Sequence, residues 1–156
     1  MSCYTLTIII NNIEETINLG HCLGVNLKQG DVILLNGDLG VGKTTLAKSI
    51  AHALGVKSYI TSPTFTILKT YEISNILELA HFDFYRLSSN NYPYEFYDYI
   101  GNDGYISLIE WPFNIQNLIP EDYLLINISW LSENRRKMEL IGTNQKYKDL
   151  IKKCIH

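Results

Sequence analysis

This 156-residue chain has little arginine, little cysteine and no excess of positive charge. Its arginines are Arg86, Arg135 and Arg136, and its net charge is −3. That balance excludes broad electrostatic binding to nucleic acid, and no contact with DNA is expected. Cys3, Cys22 and Cys154 are odd in number, widely spaced and without a C-x-x-C pair. They support neither a zinc site nor a disulfide framework, and read as incidental thiols of a reducing compartment. No apolar run approaches the length of a membrane span, and no basic segment followed by an apolar one opens the chain. A cytoplasmic protein without membrane attachment is expected. Internal repeats, low-complexity linkers and domain boundaries are also missing, so residues 1–156 read as one domain with room for a core.

What the chain does have is Gly37-Asp38-Leu39-Gly40-Val41-Gly42-Lys43-Thr44, which fits G-x-x-x-x-G-K-[ST] without a gap. The physical demand behind that pattern is a loop whose backbone N–H groups turn inward around polyphosphate. Glycines allow the backbone angles and the close approach that this needs. Lys43 would reach the β- and γ-phosphates, and Thr44 would offer its hydroxyl to Mg²⁺. The context matches: Asp31–Asn36 is a short apolar run suited to a buried parallel strand. Thr45–Leu54 is an amphipathic helix stopped by Gly55, and its free N–H groups add to an anion site.

Elsewhere, Tyr4–Ile10 reads as a strand. Asn12 and Glu15 resemble a capping box that opens a helix to about Val25, weakened by Gly20 and Gly24. Phe65–Ile73 and Ile76–Phe84 predict a hairpin around Ser74-Asn75, and therefore a mixed sheet. Tyr92–Tyr99 fits either a short helix or an aromatic loop. Tyr105–Glu110 is a buried-strand candidate, Tyr123–Ser129 and Lys137–Ile141 a final antiparallel pair, and Gln145–Ile155 a terminal helix. The order of elements predicts an α/β protein of P-loop NTPase fold, with a mixed, mostly parallel sheet flanked by helices.

A phosphate loop needs a carboxylate to hold Mg²⁺ and a group that positions the attacking water. Glu110 and Asp83 each end an apolar strand, so each is a candidate. His81, between strand residues, reads first as a hydrogen-bonded structural group. Thr61-Ser62-Pro63-Thr64 fits a loop that senses the γ-phosphate through a hydroxyl, or equally a hydroxyl-rich turn.

Taken together, Gly37–Thr45, Thr61–Phe65, His81–Leu87 and Leu108–Pro112 closely resemble the TsaE (YjeE) family of small bacterial P-loop ATPases. The resemblance implies slow Mg²⁺-dependent ATP hydrolysis in support of N6-threonylcarbamoyladenosine formation on tRNA. It implies a TsaB–TsaD-type partner complex, with tRNA reached indirectly through that complex, and ATP or ADP as the bound nucleotide. Residue by residue, the nucleotide would lie against Asp38, Leu39, Gly40, Val41, Gly42, Lys43, Thr44 and Thr45. Thr64 would sit in a switch-like segment, while Trp111 and Arg135 would lie near the nucleotide. Thr44 and Glu110 would hold the metal, and Lys43, Asp83 and Glu110 would act in hydrolysis. The helix around Asn12–Thr16 would lie close to adenine. Phe113 stands where relatives often have an acidic or amide residue, and Ser88–Asn102 is richer in tyrosine and less acidic than the family's usual stretch.

Three rival readings use the same loop. A small-molecule kinase needs an arginine-bearing lid, for which this chain has few arginines. A GTPase would need an Asn-Lys-x-Asp segment, which Asn144-Gln145-Lys146 does not supply. A module holding its nucleotide for structural reasons alone is the third.

Overall fold

Alternate residues of Tyr4–Ile10 face inward and outward, the period-two signature of a half-buried strand, and this segment is β1. In the computed structural model, which describes residues 3–155, β1 is followed by α1 (Ile13–Asn26), β2 (Val32–Asn36) and α2 (Lys43–Leu54). Next come β3 (Leu68–Glu72), β4 (Glu78–Asp83) and β5 (Tyr105–Glu110). The chain ends with β6 (Leu124–Trp130), β7 (Arg136–Gly142) and α3 (Gln145–Cys154). All seven strands share one sheet in the order β1-β7-β6-β2-β5-β4-β3. The middle of the sheet is parallel (β6, β2, β5 and β4), and the antiparallel strands β1, β7 and β3 flank it. The expected mixed α/β sheet is therefore present, though not mostly parallel, since three of its six strand pairings are parallel and three antiparallel.

β2 is central, and its apolar run is buried on both faces. Ile33 and Leu35 pack with Leu46, Ile50 and Tyr147 on the side of the three α-helices. Val32 and Leu34 pack with Phe82, Phe96 and Ile115 on the other side. That second face is covered by short 3₁₀ segments, Tyr94–Asp98 and Pro112–Leu118, so the tyrosine-rich stretch is a short helix anchored by buried Phe96.

Asn12 caps α1 by accepting from the Glu15 N–H at 2.9 Å. The Glu15 carboxylate returns to the Asn11 N–H, 3.1 Å away, so the predicted box closes one residue early. Gly20 and Gly24 lie within α1 and let α2 approach it. A Cβ on Gly20 would stand 2.5 Å from Ser49 Cβ, and one on Gly24 equally close to Ala53 Cβ.

Two expectations are corrected. The hairpin strands are shorter than predicted, with Ile73–Leu77 forming the turn and Phe65 outside β3. Ile67 has a positive φ of 71°, which breaks the extended run that its β-branched neighbours favour. The cysteines differ more. Cys22 and Cys154 form a disulfide joining α1 to the end of α3, with Cα atoms 5.6 Å apart, while Cys3 is free and exposed. The two partners are 132 residues apart, and only the docking of α3 beside α1 brings them together. Among the described residues, no helix is long and apolar enough to cross a membrane.

Candidate functional site

Parallel strands that run the same way end at the same edge, and ligands of open α/β sheets bind outside those carboxyl ends. Here β2, β4 and β5 deliver Asn36, Asp83 and Glu110 to one edge, and register places Asp83 directly opposite Glu110. The glycine-rich loop leaves β2 at that edge and enters α2 at Lys43. Gly40 and Gly42 have φ of +74° and +121°, and a Cβ on either would meet no protein atom within 4 Å. The loop therefore keeps an open concave surface lined by main chain.

Lys43 is buried, and its ammonium donates to the carbonyl oxygens of Gly37 and Asp38, the latter at 2.9 Å. Its Nζ also lies 4.6 Å from the centre of the Trp111 ring, within cation–π range. Burial pulls the Lys43 pKa below the ordinary lysine value, against the opposing pull of Glu110, Asp83 and Asp38. Trp111 is held there by an unusual backbone, with φ 55° and ψ 50°, and Pro112 follows as the first residue of a 3₁₀ segment.

Asp83 and Glu110 are both nearly inaccessible. Asp83 Oδ2 accepts from Thr64 Oγ1 at 3.0 Å and from Ser62 Oγ at 3.3 Å, and Oδ1 accepts from the Tyr85 N–H at 2.9 Å. Glu110 Oε2 lies 2.7 Å from His81 Nε2. Lys43, Thr44, Ser62, Thr64, Asp83 and Glu110 surround one cavity of about 230 Å³. A hydroxyl and two carboxylates beside a cation form a hard-oxygen donor set of the kind that suits Mg²⁺ near phosphate. The residues present fit that ion.

A second cavity of about 460 Å³ adjoins the loop on its α1 side, walled by Asn12, Ile13, Thr16, Gly42, Thr45 and Arg136. A third, of about 720 Å³, lies along Asp38, Leu39, Gly40 and Val41 toward Trp111 and Trp130. The structure thus gathers Asp38 to Thr45, Thr64, Asp83, Glu110 and Trp111 around one edge of the sheet. Arg135 is not in these walls. Its Nε donates to Asn11 Oδ1 at 3.2 Å, and the arginine in the wall is its neighbour, Arg136. Arg136 Nε donates to the Val41 carbonyl at 2.9 Å and so supports the loop. Arg135 ends the turn before β7 and Arg136 opens the strand, and the paired arginines gave no sequence signal for which would face the loop. Ser62 and His81 also join the site. The hydroxyl-rich turn indicated the first, whereas a lone histidine in an apolar strand read first as a structural group and second as a base or ligand.

A family model described as "Threonylcarbamoyl adenosine biosynthesis protein TsaE" matches residues 10–138. The chain belongs to the TsaE family. Among TsaE relatives, a Rickettsia felis tRNA threonylcarbamoyladenosine biosynthesis protein is 41% identical, covering 92% of this chain and 84% of that one. The Bacillus subtilis protein of the same name is 34% identical, covering 89% of this chain and 87% of that one. The crystal structure of YdiB from Bacillus subtilis superposes with a TM-score of 0.80 at 30% identity, covering 99% of this chain and 96% of that one. The mixed seven-stranded sheet is thus that of a TsaE-type structure.

Proposed function

We propose that this TsaE-family chain is a P-loop ATPase that binds Mg-ATP, hydrolyses it slowly, and supports threonylcarbamoyladenosine formation on tRNA through a TsaB–TsaD-type complex. The observation that carries this reading is the convergence of Lys43, Thr44, Asp83 and Glu110 on one cavity, beside a glycine-rich loop open to a ligand. The loop N–H groups and Lys43 bind the phosphates, and the cavity beside Asn12 and Thr16 takes the adenosine. To reach phosphate, Lys43 exchanges its two loop carbonyl acceptors for phosphate oxygens. Thr44 and Glu110 hold Mg²⁺, which when bound neutralises charge on the phosphates. Asp83 orients the attacking water, and Thr64 and Ser62, now on Asp83 Oδ2, link the loop before β3 to that event. ADP is the product that remains in the site.

A kinase lid finds little support. Arg86 lies over the Phe65 ring at 4.3 Å, and Arg136 is committed to the Val41 and Ser132 carbonyls. The test is ATP hydrolysis by the purified protein, alone and with both partners, beside Lys43→Ala. Turnover that is negligible alone, rises with the partners and disappears in the variant is the expected result. Brisk partner-independent turnover, or none under any condition, overturns the reading. Glu110→Gln separates it from a structural nucleotide site: an ATPase loses Mg²⁺-dependent turnover, whereas a structural site loses mainly stability.

A further inference from the structure

His81 stands on the same face of β4 as Asp83, one pleat earlier, and its nearest polar neighbour is on β5. Register places His81 opposite Leu108 and Asp83 opposite Glu110, so the imidazole reaches one pleat forward to the glutamate. His81 is 0% exposed and Glu110 3% exposed, and the contact is 2.7 Å. The other ring nitrogen, Nδ1, is buried without a hydrogen-bond partner, so no acceptor exists for a hydrogen there. A carboxylate oxygen accepts, so the hydrogen at this contact sits on Nε2, which donates to Glu110 Oε2.

This is a costly way to fill space. A buried imidazole with one unsatisfied nitrogen packs no better than phenylalanine would, and a buried polar group without a partner is unfavourable. The neighbouring cation does not take over the role, because Lys69 on β3 donates to Thr61 Oγ1 at 2.6 Å. What the imidazole supplies is orientation. It occupies one oxygen of Glu110, leaving Oε1 without a protein hydrogen bond among the described residues, and Glu110 lines the cavity shared with Thr44 and Lys43.

We propose that His81 is a positioning residue that fixes the Glu110 carboxylate for the cation, so that Glu110 acts as a preset ligand. The inference rests on the Mg-nucleotide reading above. Outer partners that hold a ligating group in place are typically worth about 10–100-fold in metal affinity.

The experiment measures Mn²⁺ affinity of the full chain with ADP bound, by electron paramagnetic resonance, and ADP affinity without metal, for four proteins. His81→Phe keeps the volume and removes the donor. His81→Gln places an amide N–H near the position of Nε2, and His81→Asn has the amide but falls short of it. Expected is an about 10–100-fold loss of Mn²⁺ affinity in the Phe and Asn variants, recovered largely by Gln, with metal-free ADP affinity unchanged. If His81→Phe does not fold, the Gln-against-Asn difference decides. Equal Mn²⁺ affinity in wild type and variants overturns the proposal, as does a parallel loss of metal-free ADP binding, which would mark a merely structural histidine. Wild-type protein that binds no Mn²⁺ beside ADP overturns the Mg-nucleotide reading itself.

Discussion

Thr64 and Asp83 meet at 3.0 Å across a gap in sequence, tying the loop before β3 to the end of β4. Ser62 adds a second hydroxyl to the same carboxylate oxygen. The loop before β3 is thus latched to the residue proposed to orient water.

Removing both hydroxyls, in a Ser62→Ala/Thr64→Val variant, releases that latch. Hydrogen bonds to a charged acceptor contribute about 1.5–3 kcal/mol each. Limited proteolysis between residues 57 and 66 is expected to accelerate about tenfold or more, with the global unfolding midpoint little changed. An unchanged cleavage rate would show that the loop is held by other contacts.

Gly42 enters α2 with φ +121°, a conformation that residues with a Cβ rarely hold, and nothing of the protein lies within 4 Å of a Cβ placed there. Gly42→Ala is expected to fold with a penalty of about 1–3 kcal/mol from backbone strain alone. Its ATP affinity, measured by calorimetry, should fall far more than its stability, because the added methyl would enter the open space proposed above for phosphate. Wild-type affinity in that variant would place the nucleotide elsewhere.

Tyr147 links α3 to the first residue of the central strand. Its hydroxyl accepts from the Val32 N–H at 3.0 Å and lies 3.3 Å from Asp31 Oδ1, where Lys146 also pairs at 2.6 Å. Burial pushes its pKa up to about 12. The raised value means that the folded state holds the phenol proton more tightly than the unfolded chain does. This contribution is therefore complete below about pH 10 and is lost as pH rises to about 12, an effect of about 2–3 kcal/mol. Tyr147→Phe should remove that part of the alkaline slope. It should also cost about 1–3 kcal/mol near neutrality, because the buried Val32 N–H loses its acceptor. Urea denaturation of both proteins at about pH 8 and about pH 12 checks the sign and the size.

The Cys22–Cys154 link makes its own prediction. Protein purified without reductant should show one free thiol, that of Cys3, and all three after reduction and unfolding. Cys154→Ser is expected to lose about 2–4 kcal/mol of stability without reductant and little in its presence. Three free thiols in the unreduced protein would rule the link out.

Much of the site lay open in one dimension. The Gly37–Thr44 pattern, the apolar strand before it and the helix after it are contiguous, so local sequence specifies strand, loop and helix together. Asp83 and Glu110 were legible because each ends an apolar run, which in a parallel sheet brings both to the same edge. Burial of β2 on both faces likewise follows from an unbroken apolar stretch.

What tertiary structure alone decided are pairings across long separations. Arg136 rather than Arg135 faces the loop because β7 sits between β1 and β6 in a particular register. Gly20 and Gly24 serve helix contact, since only the docked α2 shows what stands opposite them. Cys22 finds Cys154, and His81 finds Glu110, for the same reason. Local sequence fixes backbone preference and the alternation of faces through sterics and burial. Which distant side chains then touch depends on strand order and helix docking, which the whole chain settles cooperatively.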